Sequence, residues 1–236
     1  LSFDIRDSLV VLGGYLPGTD SRDWVCQNSI LCGDIGEPGD SLDNSYHVVT
    51  TFFVDSLTLI DGFCISGGNA NGDTPPLSNR HGGGWYNDGS GDGNRSNPTI
   101  RNCIISNNTA QFRGGGIYNN GDDGGNSSPV LINCIISSNT VFGIASSGGG
   151  FYNNGNQEGN SSPVLINCIV SGNQAIARGG GFFNFGASEG NSSPVLINCV
   201  VSGNYTEGQG GGFANQGGEG NSSPVLTNCV ISGNFA

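Results

Sequence analysis

Short apolar runs separated by polar, glycine-rich bends recur along this chain. One stretch reads Gly116-Ile117-Tyr118, Val130-Leu131-Ile132 and Cys134-Ile135-Ile136, each run bounded by Gly, Asn, Ser or Pro. Every run is too short for a helix and rich in β-branched residues, so each predicts a strand. The set then repeats. Gly-Gly-Gly-x-x-Asn begins at Gly82, Gly114, Gly148, Gly179 and Gly210, and Pro-x-x-x-Asn-Cys begins at Pro98, Pro129, Pro163, Pro194 and Pro224. The cysteines Cys103, Cys134, Cys168, Cys199 and Cys229 are spaced 31, 34, 31 and 30 residues apart. Invariant cores with length changes confined to the joints predict stacked units with protruding loops. With three short strands per coil, the fold class is all-β: a single-stranded parallel β-helix of about seven coils. Residues 1–80 contain the same ingredients less regularly and predict irregular opening coils. Residues 81–236 predict five regular repeats of about 31 residues, in one continuous domain.

Facing is legible from which columns tolerate charge. Arg101, Ile132, Ile166, Ile197 and Thr227 accept Arg and are read as outward, whereas Ile100, Leu131, Leu165, Leu196 and Leu226 stay apolar and are read as inward. Trp85, Ile117, Phe151, Phe182 and Phe213 form a second inward column. Tyr86, Tyr118 and Tyr152 are read as an exposed aromatic column, ended by Phe183 and Ala214. Three asparagine columns predict hydrogen-bonded ladders at the coil corners, where Asn tolerates left-handed backbone. They are Asn102, Asn133, Asn167, Asn198 and Asn228; Asn87, Asn119, Asn153, Asn184 and Asn215; and Asn108, Asn139, Asn173, Asn204 and Asn234. The four Asn-Ser-Ser-Pro segments are read as turn chemistry.

Composition narrows the partners. Seven Lys and Arg face 19 Asp and Glu, a net charge of −12, which argues against nucleic acid or anionic lipid. No apolar stretch approaches the ~20 residues of a membrane-spanning helix. Leu1 is not an initiator Met, so the chain is read as a processed product or a fragment, and the acidic, lysine-free composition points to an extracellular or cell-surface location.

The phrases Val11-Leu12-Gly13-Gly14-Tyr15, Gly33-Asp34-Ile35-Gly36 and Asp61-Gly62-Phe63, followed by Gly-Gly-Gly-x-Tyr-Asn units, resemble bacterial surface proteins of the right-handed parallel β-helix, pectate-lyase-like class. The Gly-Gly-Gly and Ser-Gly-Asn elements are similar to the repeats of polymorphic outer-membrane autotransporter proteins. The resemblance spans nearly the whole chain and implies a right-handed solenoid, secretion and a surface location. It does not fix function, because one fold hosts many.

Several residue sets could carry chemistry. The cysteine column suits buried free thiols, and Cys26 and Cys32 are the candidate disulfide. Glu158, Glu189 and Glu219 recur at one loop position; either these loops splay into solvent, or Ca²⁺ bridges the carboxylates. No other cofactor is expected. For catalysis, Arg113 and Arg178 precede their glycine triplets in one column, with Ser147 between them and His81 and Gln209 on the outer coils. They lack a neighbouring Asp cluster, and near-identical repeats argue against a unique catalytic constellation, so no catalytic residue is assigned. The expected role is a non-enzymatic structural protein. Strand-like Leu1-Ser2-Phe3-Asp4-Ile5 and the tip Phe235-Ala236 carry no evident cap, and they predict head-to-tail stacking of identical chains into an extracellular filament. The alternatives are a segment of an adhesin binding glycans or cells, and a polysaccharide lyase.

Overall fold

A computed structural model describes residues 2–16, 18–23, 29–73 and 75–236. The chain winds as a right-handed parallel β-solenoid. Three seven-stranded sheets run its length, so that about six turns separate the first rung from the last, and a five-stranded sheet of two-residue strands forms a fourth side. In the rung of the third glycine triplet these strands are Phe151–Asn154, Val164–Ile166, Ile169–Ser171 and Gln174–Ala175. Pairing is parallel and keeps one register from rung to rung: Ile117 meets Phe151, Leu131 meets Leu165, and Ile136 meets Val170. The fourth side adds one short strand to the three expected in each regular coil. Its short strands, such as Thr109–Ala110, hold no apolar run for periodicity to detect.

Left-handed residues make the corners. Asn102, Asn133, Asn167, Asn198 and Asn228, with φ between 51° and 55°, turn the chain from second to third sheet, one residue before each cysteine. The glycine triplets turn it onto the first sheet. Gly114 sits at φ 61°, and a Cβ on Gly115 would lie 2.6 Å from the Thr140 carbonyl oxygen and 2.8 Å from that of Gly149. Only glycine lets successive rungs approach so closely at this corner.

The core follows the inward columns. Ile100, Leu131, Leu165 and Leu196 are buried against Trp85, Ile117, Phe151 and Phe182, with Cys103, Cys134, Cys168 and Cys199 between them. Phe151, Phe182 and Phe213 stack face to face at 4.8 and 4.7 Å, nearly parallel. Ile5 is buried in this core, which corrects its expected role as an assembly contact. Phe3, in the first strand, and Phe235 are exposed, as is Ala236. Leu1 lies outside the described residues. Among the described residues no helix is long and apolar enough to cross a membrane.

Candidate functional site

The three asparagine columns differ in role. Asn108, Asn139, Asn173 and Asn204 are fully buried. Asn173 donates Nδ2 to Ile136 O at 3.0 Å and to Asn204 Oδ1 at 2.9 Å, and its own Oδ1 accepts from Asn139 N and Nδ2. Asn87, Asn119, Asn153 and Asn184 form a second buried chain, each amide donating to the next rung. The corner column is linked more loosely, Asn133 to Asn102 and Asn167 to Asn133 at 3.2 Å, Asn198 to Asn167 at 3.2 Å and Asn228 to Asn198 at 2.7 Å, and mostly in solvent. The Asn-Ser-Ser-Pro segments build a further ladder: Asn160 donates to Asn126 Oδ1 at 3.0 Å and Asn191 to Asn160 Oδ1 at 2.8 Å.

The thiols of Cys134, Cys168, Cys199 and Cys229 are free, and each donates to a carbonyl of the preceding rung, as Cys168 does to Leu131 O at 3.6 Å. A hydrogen bond with Cys134 and burial push the Cys168 thiol up to about 12. Cys103 lies in the same buried column. Cys32 is exposed, but Cys26 lies outside the described residues, and the proposed disulfide with it. Glu158, Glu189 and Glu219 occupy equivalent exposed turns. Among the described residues no group of three or more His, Cys, Asp or Glu side chains is placed to hold a metal.

Asp61 is held by two ion pairs. It is fully buried and accepts from Arg22 at 3.1 Å, from Arg101 at 2.7 Å and from Asn102 at 2.8 Å. Burial alone would raise its pKa, but these donors outweigh that and hold it below the usual carboxylate range. Arg22 and Arg101 are thereby committed to structure.

The remaining basic residues of interest lie together over the outer face of the first sheet. His81, Arg113, Ser147, Arg178 and Gln209 bridge one another in parallel, rung by rung, immediately before the glycine triplets. They roof the aromatic column. Tyr86, Tyr118, Tyr152 and Phe183 are only 3–6% exposed and form their own cluster, which corrects the expectation of free tyrosine faces. The Arg113 guanidinium lies 5.2 Å from the Tyr152 ring centre and that of Arg178 5.8 Å from Phe183, while His81 packs on Tyr118 at 5.2 Å. Burial, followed by the charge of Arg113, drives the His81 pKa down to about 3. Burial opposes the charge on Arg113, but Tyr152, Tyr118 and Asp122 together hold its pKa above the ordinary value.

Three adjoining hollows follow this roof along the axis. One of about 290 Å³ lies among Leu77, Arg80, His81, Phe112, Arg113 and Ala145. The next, about 220 Å³, shares Arg113 and Ala145 with it and is closed by Ser147, Tyr152, Arg178, Phe183, Phe185 and Gln216. A third, about 330 Å³, shares Arg178, Phe183 and Gln216 and opens where Ala214 ends the aromatic column. A separate hollow of about 470 Å³, beside Leu42, Asp73 and Phe142, has no cation in its lining. Arg80, Arg113 and Arg178 are three of the seven basic residues, and none of them meets a carboxylate at ion-pair distance among the described residues. The sequence revealed the His81–Gln209 column but not that it roofs the tyrosines. It also left Phe185 and Gln216 unnoticed, although the repeat alignment puts them in one column with Asp88, Asn120 and Asn154. Compared with family models, curated proteins and solved structures, the chain matches none.

Proposed function

We propose that the protein is a non-catalytic binding rod that holds an extended glycan along the strip over its first sheet, at a cell surface or outside the cell. The observation that carries this reading is the run of three adjoining hollows lined by Arg80, Arg113 and Arg178 and floored by aromatic rings. A long ligand suits a strip whose residues repeat with the rungs, about 4.8 Å apart. Arginines laid over aromatic rings are pre-positioned, and they lose little freedom when they take up hydroxyl or anionic oxygens. A surface rod also agrees with the resemblance of the Gly-Gly-Gly and Ser-Gly-Asn elements to autotransporter repeats. Affinity electrophoresis of the full chain through gels containing neutral or acidic polysaccharides tests the reading. Retardation that is lost in the Arg113→Gln/Arg178→Gln double variant supports it, and unretarded migration in every gel overturns it. Ultraviolet-absorbing products from an acidic polysaccharide would instead establish a lyase.

End-to-end assembly is a second reading with its own observation. In the seventh rung Leu226 and Ile231 are 41% and 47% exposed, whereas Leu196 and Val201, one rung earlier, are fully buried. A rung-shaped surface would cover them, either a further coil of a longer chain or, in this reading, a second copy. Filaments in negative-stain images of the purified chain support assembly; single rods at high concentration refute it.

A further inference from the structure

The repeat is broken at two positions facing one hollow. In the roof column, His81, Arg113, Arg178 and Gln209 are all large, whereas Ser147, bridged between Arg113 and Arg178, is small. The gap it leaves lies between the rungs of Arg113 and Arg178 and opens on a hollow that both line. On the first sheet, Asn120 donates to Asp88 Oδ1 at 3.0 Å and Asn154 donates to Asn120 Oδ1 at 2.9 Å. The next residue in this ladder is Phe185, which has no amide to offer, and the buried Oδ1 of Asn154 has no partner. A buried carbonyl oxygen left unsatisfied works against stability. Ser147 and Phe185 line one hollow, where the first leaves room and the second presents an apolar ring in place of an amide.

We infer that the Ser147 hollow is an oxyanion subsite, taking one carboxylate, sulfate or phosphate group between Arg113 and Arg178. This rests on the reading of the strip as a glycan surface and specifies the glycan as anionic. Both arginines line the same ~220 Å³ space, with no carboxylate at ion-pair distance among the described residues. Arg178 Nη1 donates to Gln216 Oε1 at 2.6 Å, which fixes one fork while leaving its other donors for a ligand. Asp122 acts on Arg113 only from beyond ion-pair distance. A guanidinium fork matches the geometry of a planar or tetrahedral oxyanion. Phe185 supplies an apolar wall for the body of the ligand beside that group. Elsewhere a chain of net charge −12 repels polyanions, so recognition concentrates here.

The test is calorimetric titration of the full chain with inorganic sulfate, inorganic phosphate and acetate, each in wild type, Arg178→Gln and Ser147→Gln. Gln is already tolerated in this column at Gln209, so Ser147→Gln fills the hollow in an intact coil, as its circular dichroism and melting will verify. Saturable binding of at least one anion, weakened about tenfold or more in both variants, is expected. The anion bound most tightly identifies the ester or acid carried by the ligand. Absence of saturable binding by all three, or equal binding by Ser147→Gln, overturns the subsite. Retardation by polysaccharides without anion binding would leave the strip standing and the subsite refuted; anion binding without retardation would do the reverse.

Discussion

At the scale of single residues, burial rather than charge count decides which side chains govern stability. His81 is one of two histidines, and its surroundings keep it neutral down to about pH 3. An unfolded chain takes up that proton near pH 6.5. Between these values the unfolded state binds more protons, so stability is full above about pH 6.5 and falls as the pH drops towards 3, by at most about 1.4 kcal/mol per pH unit from this group. His47, also lowered first by burial, adds a slope of the same sign. Asp61 acts in the same direction but lower, since its folded pKa is depressed and its contribution is lost only as acid protonates it below the normal carboxylate range. His81→Gln, a residue the column already accepts at Gln209, is therefore expected to flatten the pH dependence between about 3 and 6.5 while leaving the acid limb of Asp61. Urea melts at a series of pH values measure this, and an unchanged slope would show that His81 is not the neutral group described.

At the scale of the elements, ladders that look alike in sequence have unlike energetics. Asn173 makes four side-chain hydrogen bonds in a fully buried position. Its replacement by Ala leaves several buried partners unsatisfied, and a loss of about 3 kcal/mol is expected. Asn167 is exposed, and its main service is a φ of 55°. Asn167→Gly keeps that conformation at no steric cost, so a change within about 0.5 kcal/mol is expected. Chemical denaturation of both variants separates the cases, and equal losses would refute the distinction. Strand alternation made the inward leucines and the outward Arg101 column legible, because side chains must point to opposite faces in turn. The constant distance from Pro to Cys likewise made the coil legible. What alternation could not reveal is a layer lying outside the sheet. Tyr118 points away from the core as its strand position requires, yet the preceding turn folds Arg113 and its neighbours over it. That cover depends on the path of a glycine-rich turn rather than on any apolar pattern. The two-residue strands were hidden for a related reason: Thr109–Ala110 has too few residues to show a period.

At the scale of the whole molecule, each rung touches only its neighbours, so stability approximates a sum of rung and interface terms. The repeats then become separable parts. Deleting residues 134–167 joins Asn133 to Cys168, recreating the Asn-Cys junction that every regular coil uses, and removes 34 of 236 residues. The inward columns stay continuous, Leu131 against Leu196 and Ile117 against Phe182, so a six-rung solenoid is expected to fold. Its urea m-value is expected to fall by roughly one part in seven, because m scales with the surface exposed on unfolding. The deletion also takes away Ser147 and Tyr152 and brings the Arg113 turn directly beside the Arg178 turn. The gap between them closes, and the two guanidinium groups come within about one rung spacing of each other. A molecule that keeps its β-sheet circular dichroism and cooperative melt yet no longer takes up oxyanions would separate the rod, which any coil can extend, from the site, which one irregular coil creates. If the shortened chain instead binds anions as well as the parent, recognition lies in the two arginines alone and the small residue between them is incidental.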